Sequence, residues 1–247
     1  MSKTREIGCK AHEWSFNRKM AAFGIDYKRQ YSKAPSFAPN KLSTMNKSTR
    51  FWDRVADGSG EGLGASSQKT VDLTLPFLNA QDKVLDFGCG PGNISNAIAK
   101  HVKQVDGIDT SGGMIASAQA LAAKQNLRNV HFAQLDISNE GLHSTYYDAV
   151  LAFNVLHYVD DVTFIATRIR SLLKPNGHFI SATACLGDGF HPLRPLMFIM
   201  TRFGIVPKMH FYRLSKLQDA IESNGFSLVA TEKLSTLPEY LLVMKRD

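Results

Sequence analysis

A glycine-rich turn between a short apolar strand and a helix constrains this chain more than any other feature. Residues 84–92 read VLDFGCGPG, and a helical pattern begins directly after them. Glycine is needed where a backbone turns tightly, or where it approaches a ligand more closely than a Cβ atom permits. In open α/β sheets, ligands bind at the carboxyl ends of strands, where the strand order reverses. Gly88, Gly90 and Gly92 therefore predict an α/β sheet with a ligand at this strand end.

Strands and helices alternate from this turn onward. Each predicted strand is a short apolar run rich in β-formers, and each predicted helix carries apolar residues three or four apart. Alternation of this kind produces a parallel sheet that helices cover on both faces. The predicted strands cover residues 83–87, 104–108, 130–134, 147–153 and 178–183, and the predicted helices cover 93–100, 113–125 and 162–173, preceded by helices near 51–55 and 70–78.

The last part of the chain departs from this alternation. Residues 215–218 read SKLQ, which has the form of a capping box, so a helix is predicted over 216–223. Segments 226–233 and 240–245 follow as strands with no helix between them, and they are expected to pair antiparallel. The predicted fold is a Rossmann-like, doubly wound α/β sheet of seven strands, mostly parallel, with a C-terminal antiparallel hairpin.

The positive charge of the chain is concentrated at its N-terminus. The net charge is +7, and residues 1–50 hold 11 Lys/Arg against three Asp/Glu, whereas residues 51–247 hold 18 against 19. No nucleic-acid partner is expected, because a groove for a phosphate backbone needs basic residues in the body of the domain. Residues 1–44 are predicted to be a basic, disordered extension of a domain spanning 45–247. A start at Met45 and a transit peptide are the alternatives.

The spacing of the cysteines and the length of the apolar runs bear on where the protein resides. The three cysteines form no C-x-x-C pair, and no apolar run reaches the roughly 20 residues that cross a bilayer. These features predict a cytoplasmic protein with no metal site and no transmembrane segment.

Two carboxylates accompany the glycine turn. Asp86 lies two residues before Gly88, and Asp109 closes the next strand, 21 residues after Gly88. A carboxylate at the end of the second strand can accept two hydrogen bonds from a ribose diol, or it can cap the helix that follows. The G-x-G-x-G spacing differs from the G-x-G-x-x-G of dinucleotide-binding proteins, because Asn93 stands at the third glycine position. The pattern predicts an adenosine-containing cofactor.

Over residues 50–247 the sequence resembles the class I S-adenosylmethionine-dependent methyltransferase family. The segments that carry the resemblance are VLDFGCGPGN, GIDTSGGMI, FAQLDI, YDAVLAFNVLHYVDD and LKPNGHFISA, in the family's order and spacing. The resemblance implies that S-adenosylmethionine is the cofactor. A small-molecule acceptor is predicted by elimination, because residues 153–156 read FNVL and not the N-P-P-Y type sequence of amino-directed nucleic-acid enzymes. The FWDRVA helix and the CLGD stretch at 185–188 are similar to those of small single-domain members. Residues 58–59 are Gly-Ser where such members often have a tyrosine, which places a cofactor lid there in doubt.

The resemblance also implies residue roles at the methionine end of the cofactor. Gly88, Gly90 and Gly92 would line the methionine part, and Asp86 would organise its ammonium group. Asn154, after the fourth strand, would present its backbone towards the same end.

At the adenosine end, the resemblance implies that Asp109 holds the ribose hydroxyls, with Thr110 beside it. Met114 would pack near the adenine. Asp136 would accept from the adenine amino group, and Ile137 would lie beside the ring.

The sequence assigns no catalytic residue and no acceptor. His157 is a candidate general base, with a structural role at a strand-to-helix turn as the alternative. The Met- and Phe-rich segment 190–211 is expected to cover an apolar acceptor, to belong to the core, or to dock shallowly on a membrane for a lipid-like acceptor. Two further classes stay open: a cofactor-binding module without turnover, and an NAD-dependent oxidoreductase.

Overall fold

The computed structural model describes residues 42–56, 62–188 and 193–247. The chain divides into two compact units, residues 39–138 with 142–247, and residues 1–38 with 139–141. In the described part of the smaller unit, the Gly141 N–H donates to Asn139 Oδ1 over 2.8 Å. The predictions for residues 1–41 and for the Gly-Ser pair at 58–59 lie outside the described residues.

The larger unit contains the alternating elements that the sequence predicts. The helices are α1 Leu42–Ala56, α2 Ala65–Thr74, α3 Asn93–Ala99, α4 Gly112–Lys124, α5 Val162–Leu172, α6 Leu193–Arg202 and α7 Leu214–Glu222, with 3-10 turns at Leu75–Phe77 and Leu156–Tyr158. The strands are β1 Lys83–Phe87, β2 Gln104–Asp109, β3 Val130–Gln134, β4 Tyr147–Phe153, β5 Leu173–Ala184, β6 Phe226–Lys233 and β7 Glu239–Arg246.

The strands form one seven-stranded sheet in the order β3-β2-β1-β4-β5-β7-β6. Strands β1 to β5 run parallel, whereas β7 is antiparallel to both β5 and β6. The predicted mostly parallel sheet with a C-terminal hairpin is therefore confirmed. The strand order reverses at β1, because the chain first moves outward through β2 and β3 and then returns to β4 on the other side. A ligand is expected in the crevice between the carboxyl ends of β1 and β4.

Both faces of the central strands β1 and β4 are buried, which explains why these strands are nearly continuous apolar runs. Leu85 and Phe179 belong to the cluster that α5 and α7 cover. Their neighbours Val84 and Ile180 point to the opposite face and belong to the cluster that α3 and α4 cover. All four side chains are at most 1% exposed. The sheet is therefore fixed from both sides, and its carboxyl edge is a rigid platform for the loops above it.

Strand β5 is longer than predicted. It begins at Leu173, directly after α5, instead of at residue 178. Leu173 pairs with Tyr147 and His178 pairs with Ala149, so the residues between them form an irregular bulge. Asn176 in that bulge has a φ of 63°. Its Asn-Gly sequence indicates a turn before the strand, but the pairing of Leu173 extends the strand through it.

Helix α7 is present where the capping box predicts it, but its N-terminus is capped differently. The helix begins at Leu214, and the side chain of the N-cap residue Arg213 forms no capping hydrogen bond. Instead, Asp188 Oδ2 accepts from the Leu214 N–H over 2.9 Å. The prediction of a capping box at Ser215 is therefore wrong. The carboxylate of Asp188, which is distant in sequence, binds the N–H of Leu214 in place of a local hydroxyl.

Candidate active site

The glycine turn after β1 is held against β2 and has a left-handed backbone. The N–H groups of Gly88 and Cys89 both donate to the Ile108 carbonyl, over 2.8 and 3.1 Å. The φ angles of Gly88, Gly90 and Gly92 are 73°, 53° and 80°. Side chains with a Cβ atom rarely adopt these angles, so the backbone path itself requires glycine.

The three glycines differ in what surrounds them. A Cβ atom on Gly88 would lie 2.6 Å from Val155 Cγ2, and one on Gly92 would lie 2.8 Å from Ala118 Cβ. A Cβ atom on Gly90 would meet no protein atom within 4 Å. The outer glycines therefore allow close packing of the protein, while the middle glycine faces open space that a ligand can occupy.

Asp109 joins the glycine turn to the start of α4. Its Oδ2 atom accepts from the Gly90 N–H over 3.0 Å, and its Oδ1 atom accepts from the Ser111 N–H over 2.8 Å. Burial raises the pKa of this carboxyl, and the backbone donors oppose the rise. The N-cap of α4 is Ser111, whose hydroxyl accepts from the Met114 N–H. Asp109 is therefore not the helix cap, and it is positioned at the carboxyl end of β2.

Asp53 on α1 is a site residue that the sequence reasoning missed. Its Oδ1 atom accepts from the Ser111 hydroxyl over 2.6 Å and from the Gly113 N–H over 3.1 Å. A Cβ atom on Gly113 would lie 3.2 Å from the Asp53 Cα atom, so the two helices approach closely. The FWDRVA segment was the signal in the sequence that could have found it, because Asp53 is the acidic residue of that segment. The structure thus places α1 over the start of α4, beside Asp109.

Asp86 is a buried carboxylate beneath the glycine turn. It is 2% exposed, accepts from the Ser95 hydroxyl, and forms no ion pair within the described ranges. Burial raises its pKa to about 6, the Ser95 hydrogen bond lowers it, and the charge of Asp109 raises it further. A buried carboxylate without a cation favours a positively charged group beside it.

The residues predicted to contact adenosine lie at the ends of β2 and β3. The Thr110 carbonyl accepts from Gln134 Nε2, and Met114 is 4% exposed at the start of α4. Asp136 is half-buried and its Oδ1 atom accepts from the Ser138 N–H over 2.8 Å. Ile137 is 1% exposed and belongs to the core. The structure brings these residues to one edge of the sheet, and their contacts with a ring remain predictions.

A cavity of about 340 Å³ opens at the carboxyl ends of β4 and β5. Asn154, which has a φ of 54° and is exposed, lines the cavity directly after β4. The residues that line the cavity are mainly apolar and aromatic: Trp52, Asn154, His157, Tyr158, Ala184, Leu186, Leu193, Met197, Leu237 and Glu239. Cavities of this size hold small organic molecules.

His157 lies in the wall of this cavity. It is 5% exposed, and its Nδ1 atom has no hydrogen-bond partner among the residues that the structure describes. Burial lowers its pKa to about 4, so the imidazole is neutral near pH 7. Its ring lies 4.2 Å from that of Tyr158, which in turn meets Trp52 edge-on at 5.3 Å. A buried, neutral imidazole can accept a hydrogen bond from a ligand.

Two further features bear on the class of site. In the described part of the chain, no group of three or more His, Cys, Asp or Glu side chains is placed to hold a metal ion. Within the same ranges, no helix has the length and hydropathy needed to cross a bilayer.

The fold, the glycine turn and the carboxylates Asp86 and Asp109 are those expected of an α/β protein that binds an adenosine-containing cofactor. A family model described as "Methyltransferase domain" matches residues 78–226. The chain therefore belongs to the class I S-adenosylmethionine-dependent methyltransferase family.

Individual relatives support the same family. An uncharacterized methyltransferase of Schizosaccharomyces pombe is 32% identical over 116 residues, which is 44% of this chain and 41% of that protein. The ubiquinone biosynthesis O-methyltransferase of Coxiella burnetii is 30% identical over 152 residues, 59% of this chain and 64% of that protein. The chain thus spans less than two thirds of either relative. A crystal structure of geranyl diphosphate C-methyltransferase from Streptomyces coelicolor A3(2) shares the fold, with a TM-score of 0.68 and 14% identity over 87% of this chain and 100% of that one.

Proposed function

We propose that this protein transfers a methyl group from S-adenosylmethionine to a small apolar molecule. The observation that carries the proposal is the apolar cavity of about 340 Å³, which adjoins the glycine turn through the residues after β4. Val155 packs against Gly88, and its neighbour Asn154 lines the cavity, so donor and acceptor regions share one loop. The names of the relatives, which refer to ubiquinone biosynthesis and geranyl diphosphate, support an acceptor that is a small molecule.

The residues around the turn fit this cofactor. Gly90 faces open space, Asp86 offers a buried negative charge for the ammonium group, and Asp109 offers a carboxylate for the ribose hydroxyls. Thr110, Met114, Asp136 and Ile137 would surround the adenine, while Gly88, Gly92 and Asn154 would shape the methionine end. When bound, the cofactor supplies a methyl group already activated on a sulfonium.

The protein then contributes the position of the acceptor. Trp52 and Tyr158 meet edge-on at the cavity and give it an aromatic wall. Against this wall an acceptor can be held in line with the methyl group, which supplies much of the barrier lowering in such transfers. No charged catalytic side chain is required by this arrangement.

The proposal is tested with purified full-length protein and radiolabelled S-adenosylmethionine. A panel of apolar phenols, quinols and prenyl compounds is offered, and labelled product is extracted into organic solvent. Transfer to at least one apolar acceptor is expected. Binding of S-adenosylhomocysteine without any transfer would instead support a cofactor-binding module, and calorimetric binding of NAD would support an oxidoreductase.

Cofactor binding is expected to release protons through Asp86. The raised pKa means that the folded protein favours the protonated carboxyl, so the free energy of unfolding falls as pH rises from 3.8 to about 6. An ammonium group above Asp86 reverses this preference. The affinity for S-adenosylhomocysteine should therefore increase as pH rises through about 6, with about half a proton released per ligand at the midpoint.

Calorimetry in two buffers of different ionisation enthalpy measures that proton release. The Asp86→Asn variant is the control, because it keeps a hydrogen-bond acceptor for Ser95 but cannot titrate. An unchanged proton release in this variant would assign the effect to another group.

His157 is expected to accept a hydrogen bond from the acceptor's reacting hydroxyl. Its pKa of about 4 makes it a weak base at neutral pH, so His157→Gln should lower kcat only roughly tenfold. The affinity for S-adenosylhomocysteine should be unchanged. The pH profile gives a second measurement, since kcat should fall near pH 4 instead of near 6.5. Unchanged turnover would leave His157 with a structural role in its turn.

The cysteines support a reducing compartment. Of the described residues, Cys89 and Cys185 are both buried and unpaired. We propose the cytoplasm as the location, in agreement with the sequence.

A further inference from the structure

Helix α6 has one face against the cavity and an apolar face towards solvent. Leu193 and Met197, which lie one turn apart, line the cavity. The outer side of α6 and the turn that follows it carry large exposed apolar side chains, here named the apolar ridge: Leu196 (48% exposed), Phe198 (64%), Ile199 (51%), Phe203 (76%) and Ile205 (56%). Exposed apolar side chains are ordinary when scattered, but a contiguous group of this kind marks an interaction surface.

The two charged side chains of α6 are both positive. Arg194 and Arg202 are exposed and lie four residues on either side of Phe198, in one row along the helix. Lys208, which follows the ridge, is paired with Asp160 over 2.7 Å. No Asp or Glu occurs from Leu193 to Leu217. An apolar ridge with two arginines on the same helix is complementary to a surface that is anionic on the outside and apolar beneath.

A lipid bilayer has this layered chemistry. Phe, Leu and Ile side chains enter the boundary between acyl chains and headgroups, and long arginine side chains reach the phosphates. Anionic lipids attract such arginines, and the cytoplasmic leaflet is the anionic one in cells. Helix α6 is only about 15 Å long, so it can lie on a bilayer but cannot cross it.

We propose that α6 docks this protein onto the surface of an anionic lipid bilayer. The apolar ridge enters the outer acyl region, and Arg194 and Arg202 bind lipid phosphates. The same helix forms a wall of the cavity, so docking brings the cavity to the membrane. An apolar acceptor then passes from the bilayer to the cavity without crossing water. That last step rests on the proposed function, whereas the docking does not.

Vesicle flotation tests the docking. Full-length protein is mixed with vesicles of phosphatidylcholine alone, or of phosphatidylcholine with phosphatidylglycerol, and the bound fraction gives a partition coefficient. Binding to the anionic vesicles is expected to be the stronger and to weaken with salt. Phe203→Ser should lower the partition coefficient roughly tenfold, because a large exposed ring no longer leaves water. Arg194→Gln and Arg202→Gln should each lower it about fivefold, on anionic vesicles only.

A matched control is available elsewhere on the surface. Phe164 on α5 is 51% exposed, like Ile199 on the ridge, and Phe164→Ser should leave the partition coefficient unchanged. All variants should bind S-adenosylhomocysteine with the wild-type affinity, which shows that they are folded.

Three results would overturn the docking: no flotation with anionic vesicles, equal flotation of wild type and Phe203→Ser, or a dimer in sedimentation velocity that Phe203→Ser dissociates. The last would assign the apolar ridge to contact with a second copy of the chain. Flotation requires no turnover, so its outcome is separate from the proposed function. A protein that floats but transfers no methyl group would refute only the enzymatic proposal.

Discussion

Replacing Asp109 by Asn is expected to weaken binding of S-adenosylhomocysteine by about a hundredfold. The carboxylate accepts from the N–H groups of Gly90 and Ser111, and one of these donors would face an amide NH2 group in the variant. Hydrogen bonds to a charged group contribute about 1.5–3 kcal/mol, and each 1.4 kcal/mol is a factor of ten in affinity. The proposed bonds to the ribose hydroxyls would be weakened as well.

Isothermal titration calorimetry measures this effect, and Asp106→Asn is the matched control on the same strand. Asp106 accepts from the Tyr147 hydroxyl over 3.1 Å and contacts His131, away from the glycine turn. Its variant should bind with the wild-type affinity. Wild-type affinity in a folded Asp109→Asn protein would show that the cofactor is held in another way.

Alanine substitutions at Gly88 and Gly90 are expected to separate stability from binding. Both residues have positive φ angles, which cost a Cβ-bearing residue about 1–2 kcal/mol. At Gly88 the new Cβ atom also overlaps Val155, so the free energy of unfolding should fall by about 2–4 kcal/mol in total. At Gly90 only the φ cost applies, but the Cβ atom fills the open space, so the affinity should fall at least about a hundredfold.

Denaturant unfolding and calorimetry on both variants give the comparison, and each variant is the control for the other. Gly90→Ala should lose only the φ cost of about 1–2 kcal/mol, which is less than Gly88→Ala loses, and should bind poorly. Normal binding by Gly90→Ala would mean that the open space above the turn is not where the cofactor lies.

Much of the fold could be predicted because local pattern and global packing agree. A strand buried on both faces must be apolar throughout, and Val84-Leu85 and Phe179-Ile180 satisfy both faces at once. The element boundaries were less accurate where a distant partner decides them. Leu173 joins β5 because Tyr147 lies beside it, and α7 begins at Leu214 because Asp188 reaches it.

Candidate site residues could be predicted from the sequence where they lie near the carboxyl end of a recognisable strand, which includes Asp136 and Asn154. Asp86, the three glycines and Asp109 lie on consecutive elements, and the structure brings them together at one sheet edge. Asp53 and Trp52 lie far upstream of the turn. A helical pattern predicts that they belong to a helix, but it does not predict which part of the fold that helix packs against. Their roles depend on the docking of α1, which no local pattern specifies. The apolar cavity likewise depends on α6, whose inner and outer faces both read as Met- and Phe-rich sequence.

The hydrogen bonds of Asp53 connect the helix that leads the domain to the start of α4. The stretch that the family shares begins at residue 78, while Asp53 belongs to a helix that ends at Ala56. Under the proposed function, Asp53 belongs to the cofactor side of the site and its neighbour Trp52 to the acceptor side. A change in this one helix would therefore act on both sides together. A chimera that carries the leading helix of another family member should change its choice of acceptor only along with its affinity for the cofactor.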